Sequence, residues 1–301
     1  MKILRYRPIL LILIIVNLIL TSCNSKKAES ILDEVVFSNI SFLNSPDNDT
    51  IRSIDLLNTD SIASLSNNQH VIDSTKQYIY LTFDDGPYKG SANINKVIKE
   101  EQVKATVFIV GFNAYTTTLQ QYIDDYKAND LIEISNHTYS HANRNKFVGY
   151  YKQPEVVLED VKKNEAFFNI DNKIIRLPGR NVWCLGEQKK YDYDKGSKNS
   201  ANYLADNNYY VMGWDYEWKR LKKKQPLASP SVIYDEMISR LDNNETLNKN
   251  HLVLLMHDDM FNSEEDAEKL RELIKLIKNN NDLVLEFASN YPIKTPLNIK
   301  G

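Results

Sequence analysis

From residue 78 onward the chain repeats one alternation: a short apolar run rich in β-branched or aromatic residues, then a longer amphipathic stretch. Candidate strands are 78–83, 105–110, 131–135, 173–176, 209–214, 252–256 and 283–287. Apolar runs this short and this continuous suit strands buried on both faces. Between them, Ser91 is placed to cap a helix carrying Ile94, Val97 and Ile98 on one face. Pro154 is placed to begin another carrying Val157, Leu158 and Val161. Leu270, Leu273, Ile274 and Ile277 make a helical stripe over 264–278. About seven strands alternating with helices predict an α/β fold, either a distorted (β/α) barrel of parallel strands or a doubly wound sheet. Residues 191–200 form a polar insertion, and 219–230 a basic loop containing prolines.

Polar clusters sit where these strands end. Asp84 and Asp85 follow the first, His137 and His141 the third, and Arg176 ends the fourth. Trp214, Asp215 and Glu217 end the fifth, and His257 and Asp258 the sixth. In a β/α barrel the carboxyl ends of the strands converge on one face, where active sites are built. Each cluster alone carries little weight; their shared position carries more.

The residue types suggest roles. Asp84-Asp85-Gly86-Pro87 reads as a turn, or as two carboxylates with separate tasks, one binding a metal and one acting as a base. Like charges this close repel unless a cation lies between them. His137 and His141 stand four apart, which on a helical turn places both imidazoles on one face at metal-ligating separation. Two His and one Asp leave at least one coordination position for water, as a catalytic zinc site requires. Arg176 beside an aspartate would hold the carboxylate ionised and oriented. His257 followed by Asp258 suits a general acid kept protonated by its neighbour. Trp183 and Tyr191, with Tyr193, lie just beyond the Arg176–Gly179 loop; they read either as a sugar-stacking platform or as packing residues.

Taken together, Thr82-Phe83-Asp84-Asp85-Gly86, His137-x-x-x-His141, Arg176-x-Pro178 and Leu255-Met256-His257-Asp258 resemble the polysaccharide deacetylase family, the NodB-homology domain of carbohydrate esterase family four. The resemblance covers about residues 77–290. It implies a distorted (β/α) barrel and one divalent metal, usually zinc, with cobalt, nickel or manganese as alternatives. By position, Asp84 resembles the general base, and Asp85, His137 and His141 the metal ligands. Arg176 resembles the residue orienting the base, and His257 the acid that protonates the leaving group. The Gly179 N–H resembles part of the oxyanion site, and Leu255 and Trp218 the walls of an acetyl pocket. Two departures stand out. Arg180 occupies a position usually held by Gly. The fourth motif is shortened to Trp214-Asp215-Tyr216-Glu217-Trp218, so that either Asp215 or Glu217 is expected to pair with Arg176. The implied reaction is hydrolytic removal of acetyl groups from an N-acetylglucosamine-type glycan. An O-acetyl esterase on a xylan-like glycan and an inactive glycan-binding barrel are the alternatives.

The N-terminus sets the expected location. Lys2, Arg5 and Arg7 precede an apolar run from Ile9 to Leu20 that is too short to span a bilayer but fits a signal peptide. Leu20-Thr21-Ser22-Cys23 resembles a bacterial lipobox, with Cys23 as the lipidated residue. The expected organisation is a signal peptide over 1–22, a polar tether over 23–76 and a catalytic domain over 77–295. The expected product is an exported, monomeric protein anchored to a bacterial envelope membrane. With Cys23 lipidated, Cys184 is left without a disulfide partner among the two cysteines and reads as a small buried hydrophobe. A net charge of -3 offers no basic excess for phosphate binding and argues against nucleic acid as a partner.

Overall fold

The computed structural model describes residues 73–191, 196–219 and 226–293, all within the compact unit Val71–Gly301. The signal segment, Cys23, the tether up to residue 72 and Tyr193 lie outside the described residues.

All seven expected strands are present, as β1 (Gln77–Asp84), β2 (Ala105–Ile109), β3 (Ile132–Asn136), β4 (Ile174–Ile175), β7 (Tyr210–Val211), β9 (His251–His257) and β10 (Leu283–Leu285). Three more were not foreseen: β5 (Val182–Leu185), β6 (Gln188–Tyr191) and β8 (Tyr216–Glu217). They join one ten-stranded sheet in the order β6-β5-β7-β4-β3-β2-β1-β9-β8, with β10 added beside the first residues of β1. The pairs of β5 with β6 and β7 are antiparallel, and every other pairing in the sheet is parallel. The sheet curls as a half-barrel, the open form of the expected barrel.

Its longer helices are α1 (Gly90–Glu101), α2 (Thr117–Lys127), α3 (Pro154–Phe168), α4 (Ser197–Asp206), α5 (Pro230–Asp242) and α6 (Glu264–Lys278). The apolar stripes expected of α1, α3 and α6 are buried, and Pro154 begins α3. Ser91 does not cap α1: the helix starts one residue earlier, and the Ser91 hydroxyl donates to Asp258 Oδ2 instead. The end of the polar insertion is helical, supplying the start of α4.

Strand alternation divides the core into two layers, because successive side chains leave opposite faces of a strand. On β1, Ile79, Leu81 and Phe83 join the layer packed under α1, α5 and α6. Tyr78 and Tyr80 face the inside of the curl, where they pack with Trp183, Val253 and Tyr291. The same inner face carries Thr82 and Asp84 at the end of β1. On β9, Leu252, Leu254 and Met256 belong to the helix layer, which leaves Val253, Leu255 and His257 on the inner face. Aromatic packing thus fills the lower half of the curl and supports polar groups at the carboxyl ends of the strands.

Candidate active site

Asp84 and His257 are register partners on neighbouring parallel strands, so the two project from the same level of the sheet. They line one pocket of about 250 Å³ together with Asp85, His137, His141, Phe147, Gly179, Trp214, Glu217 and Leu255. The convergence expected of the strand ends is therefore present for Asp84, Asp85, His137, His141, Trp214, Glu217 and His257; Gly179 and Leu255, placed at the site by the resemblance, join them.

Arg176 lies beneath this pocket, fully buried. It donates from Nη1 to Asp84 Oδ1 at 2.9 Å and to Thr82 Oγ1 at 2.7 Å. It also donates from Nη2 to the Gly213 carbonyl at 2.9 Å and from Nε to the Met212 carbonyl at 3.3 Å. Asp84, only 3% exposed, is thereby held in place by a charge-assisted contact.

Neither Asp215 nor Glu217 completes this pair, contrary to expectation. The Asp215 carboxylate accepts the backbone N–H groups of Leu247 at 2.8 Å and Val253 at 2.9 Å. It therefore ties the segment before β9 to the end of β7, and burial raises its pKa to about 6. Glu217 faces the pocket and lies 3.7 Å from Lys219. Backbone carbonyls take the place of the carboxylate because β7 ends at Val211, and the chain then passes directly over the guanidinium.

Asp85, His137 and His141 bring one ligand atom each within 4.8 Å of one another. The His137 Nδ1 lies 2.8 Å from the Arg176 carbonyl. A carbonyl can only accept, so this nitrogen carries the proton and Nε2 of the neutral ring presents a lone pair. That Nε2 is 3.4 Å from Asp85 Oδ1, and the His141 Nε2 is 3.0 Å from the same oxygen. Asp85 Oδ1 is buried and makes no well-formed hydrogen bond. Two imidazoles converging on one carboxylate oxygen, one with its tautomer fixed by a backbone acceptor, suit a divalent cation. Burial opposes ionisation of Asp85, but in the metal-free protein the two imidazoles, when protonated toward it, outweigh burial and hold the carboxyl well below the usual range.

The histidines do not meet across a helical turn, as their spacing suggested. β3 stops at Asn136, whose side chain accepts the Thr138 N–H at 2.9 Å, and Thr138 takes φ +63°. Residues 141–145 then form a turn of left-handed conformation with φ between +49° and +66°. Asn143 and Asn145 tolerate this region well; Ala142 and Arg144 do so at a cost.

Three further assignments are corrected. Asp258 does not hold His257: it is buried under α1, accepting from the Ser91 hydroxyl and from Tyr126 at 3.4 Å, and burial raises its pKa to about 7. His257 is oriented instead by the backbone N–H of Met260, which its side chain accepts. Trp218 is not a pocket wall. Glu217 faces the site, so its neighbour turns the other way, into the helix layer beside Phe261. Trp183 is not a sugar platform. It is fully buried against Tyr291, with ring centroids 5.6 Å apart, and its indole occupies the space a side chain on Gly213 would need. Tyr191 is half-buried on β6, donating to Asn202 at 2.7 Å, and Cys184 is a free, buried thiol. Two pocket residues were not assigned from sequence. Trp214 stood in the expected cluster without a role, and Phe147 lies in no motif.

The model of the family described as polysaccharide deacetylase matches residues 72–181, spanning Asp84, Asp85, His137, His141 and Arg176. A chitin disaccharide deacetylase from Vibrio alginolyticus is 25% identical over 52% of this chain and 51% of its own length. A peptidoglycan-N-acetylglucosamine deacetylase from Bacillus cereus is 24% identical over 61% of this chain and 60% of its own. The chain spans between half and about three fifths of the length of these two curated relatives. Among solved structures, the catalytic domain of a peptidoglycan N-acetylglucosamine deacetylase from Eubacterium rectale superposes with a TM-score of 0.55 at 21% identity, covering 74% of this chain and 94% of that one. A family 4 carbohydrate esterase from Bacillus subtilis gives 0.52 at 18% identity, covering 77% and 87%. Residues 72–181 thus match the polysaccharide deacetylase family model. The fold of the chain is that of the family 4 carbohydrate esterases.

Proposed function

We propose that the protein is a metal-dependent hydrolase that removes acetyl groups from an N-acetylglucosamine-type glycan, peptidoglycan-like or chitin-like, and releases acetate. The observation that carries this reading is the pairing of a buried, arginine-held carboxylate, Asp84, with the Asp85, His137 and His141 ligand set in one pocket. The names of the curated relatives favour the amide over the ester reading.

Asp85, His137 and His141 would hold the cation, for which zinc best suits one carboxylate and two imidazoles. A divalent ion there supplies Lewis-acid polarisation of the acetyl carbonyl and makes water more acidic. Asp84, aimed by Arg176, takes the proton of the attacking water. The Gly179 N–H donates to the oxygen that becomes negative as the carbonyl is attacked. His257, one strand over, delivers a proton to the departing nitrogen. Leu255 supplies apolar contact for the acetyl methyl.

Cys23 is proposed as the lipidated residue of an exported, monomeric envelope protein, on the strength of the apolar run that stops just before it. Cys23→Ala should move the protein from the membrane fraction to the soluble fraction, and unchanged partitioning would contradict the anchor. The activity itself is tested by acetate release from a panel of acetylated glycans. Zinc-loaded protein should act on N-acetylglucosamine oligomers or peptidoglycan. Release from acetylated xylan alone would replace this reading with the ester one.

A further inference from the structure

The pocket has an aromatic wall that comes from none of the motifs. Phe147 is half-buried and lines the pocket beside His141 and Gly179. Its ring meets that of His141 edge-on, with centroids 6.2 Å apart and planes at 76°. On its other side stands bare backbone. A Cβ on Gly179 would lie 3.0 Å from two carbons of the Phe147 ring, tighter than most side chains tolerate. The lack of a side chain at Gly179, together with its φ of +63°, lets the ring occupy that side of the site.

Arg180 fixes the arrangement. Its guanidinium lies 5.1 Å from the centroid of Phe147 and 5.1 Å from that of Tyr151, and its Nη1 donates to the Gly179 carbonyl at 2.7 Å. Tyr151 in turn donates to the Pro178 carbonyl at 2.6 Å. Arg180 is 6% exposed and forms no ion pair with a described residue. The two aromatic rings and the Gly179 carbonyl flank this buried cation. Phe147 is therefore held between a metal-ligating histidine and a buried guanidinium, with part of its surface open to the pocket.

We propose that Phe147 is the sugar-contacting, specificity-determining residue of this site, with the N-acetylhexosamine ring resting against its exposed surface, and that Arg180 is the residue that positions it. This rests on the deacetylase reading. An aromatic ring offers a sugar a large apolar surface with few rotors to freeze.

The test compares two substrates on the zinc-loaded enzyme: the N-acetylglucosamine pentamer and the small ester 4-nitrophenyl acetate. Phe147→Ala should lower kcat/KM for the pentamer relative to the ester by roughly fivefold to tenfold, mainly through KM. Phe147→Tyr should restore the ratio, and Arg180→Met should shift it in the same direction by less. An unchanged ratio, or equal loss on both substrates, would overturn the proposal. The deacetylase reading fails separately if the parent releases acetate from neither substrate. Calorimetry with the pentamer then carries the test: a parent that does not bind it, or a Phe147→Ala variant with undiminished affinity, would overturn the assignment.

Discussion

Replacing Asp84 by Asn separates three quantities that the structure ties to one carboxylate. Arg176 is fully buried, and Asp84 is the carboxylate it pairs with, at 2.9 Å. Removing one partner of a buried pair costs about 3–5 kcal/mol when nothing replaces it. The loss here should be smaller. An amide oxygen can still accept from Nη1, and Thr82, Met212 and Gly213 keep their bonds to the guanidinium. A charge-assisted hydrogen bond is thus exchanged for a neutral one, for a net loss of about 2–3 kcal/mol. In a domain of this size each kcal/mol shifts Tm by roughly 2–4 °C, so calorimetry should record a fall of about 4–12 °C. Turnover should fall by about 10²–10⁴, the usual contribution of a general base. Elemental analysis should find zinc undiminished, because Asp85, His137 and His141 are untouched. Turnover within tenfold of the parent, with metal retained, would mean that another group removes the proton. Unaltered stability would refute the account of Arg176 as a buried cation dependent on this partner.

His137→Ala removes both a ligand and the contact to the Arg176 carbonyl, and should lower bound zinc well below one per chain; undiminished stoichiometric metal would sink the ligand assignment. Trp183→Ala should cost about 3–5 kcal/mol as a core truncation and affect long and short glycans equally, whereas a selective rise in KM for long glycans would return Trp183 to the sugar site. Burial raises the pKa of Asp215 to about 6 and of Asp258 to about 7, so the folded state takes up these protons more readily than the unfolded chain. Their penalty is present at pH 8 and relieved as pH falls through about 7 and then about 6, and Asp258→Asn should weaken this dependence and stabilise the metal-free protein at pH 8 by roughly 1–2 kcal/mol. A urea midpoint with the same pH dependence in the variant and the parent would contradict this.

What the sequence made legible was what depends on local pattern. Continuous apolar runs marked β1, β2, β3 and β9, and the polar groups immediately after them pointed to the pocket. The short β8 and β6 carry no comparable run: Gln188–Tyr191 reads Gln-Lys-Lys-Tyr, and only its pairing with β5 makes it a strand; β5 does carry one, Val-Trp-Cys-Leu, which was read instead for its aromatic residue. The misassigned residues were placed by sequence proximity alone. Trp218 sits one position from Glu217, and on a strand one position reverses the face; Trp183 lies on β5 and fills the inner core. Asp258 likewise follows His257, and the chain turns at that point into a short 3₁₀ segment that carries it under α1. The partner of Arg176 depended on where β7 stops, and Phe147 on what Gly179 leaves empty. Neither can be read without the three-dimensional path of the chain.

The register of β1 with β9 has a consequence for how the protein breathes. Asp84 and His257 hang from two strands joined along seven residue pairs, Tyr78 with His251 through Asp84 with His257; β1 lies inside the sheet, and β9 is bordered on its far side by the two-residue β8. Backbone amides shared by β1 and β9 should be among the last to exchange with solvent, while the β5–β6 hairpin at the opposite edge opens locally. Asp84 and His257, the proposed base and acid, therefore sit on a strand pairing that opens late. The distance between them is insulated from fluctuations at the β5–β6 edge, five strands away from β1 along the sheet.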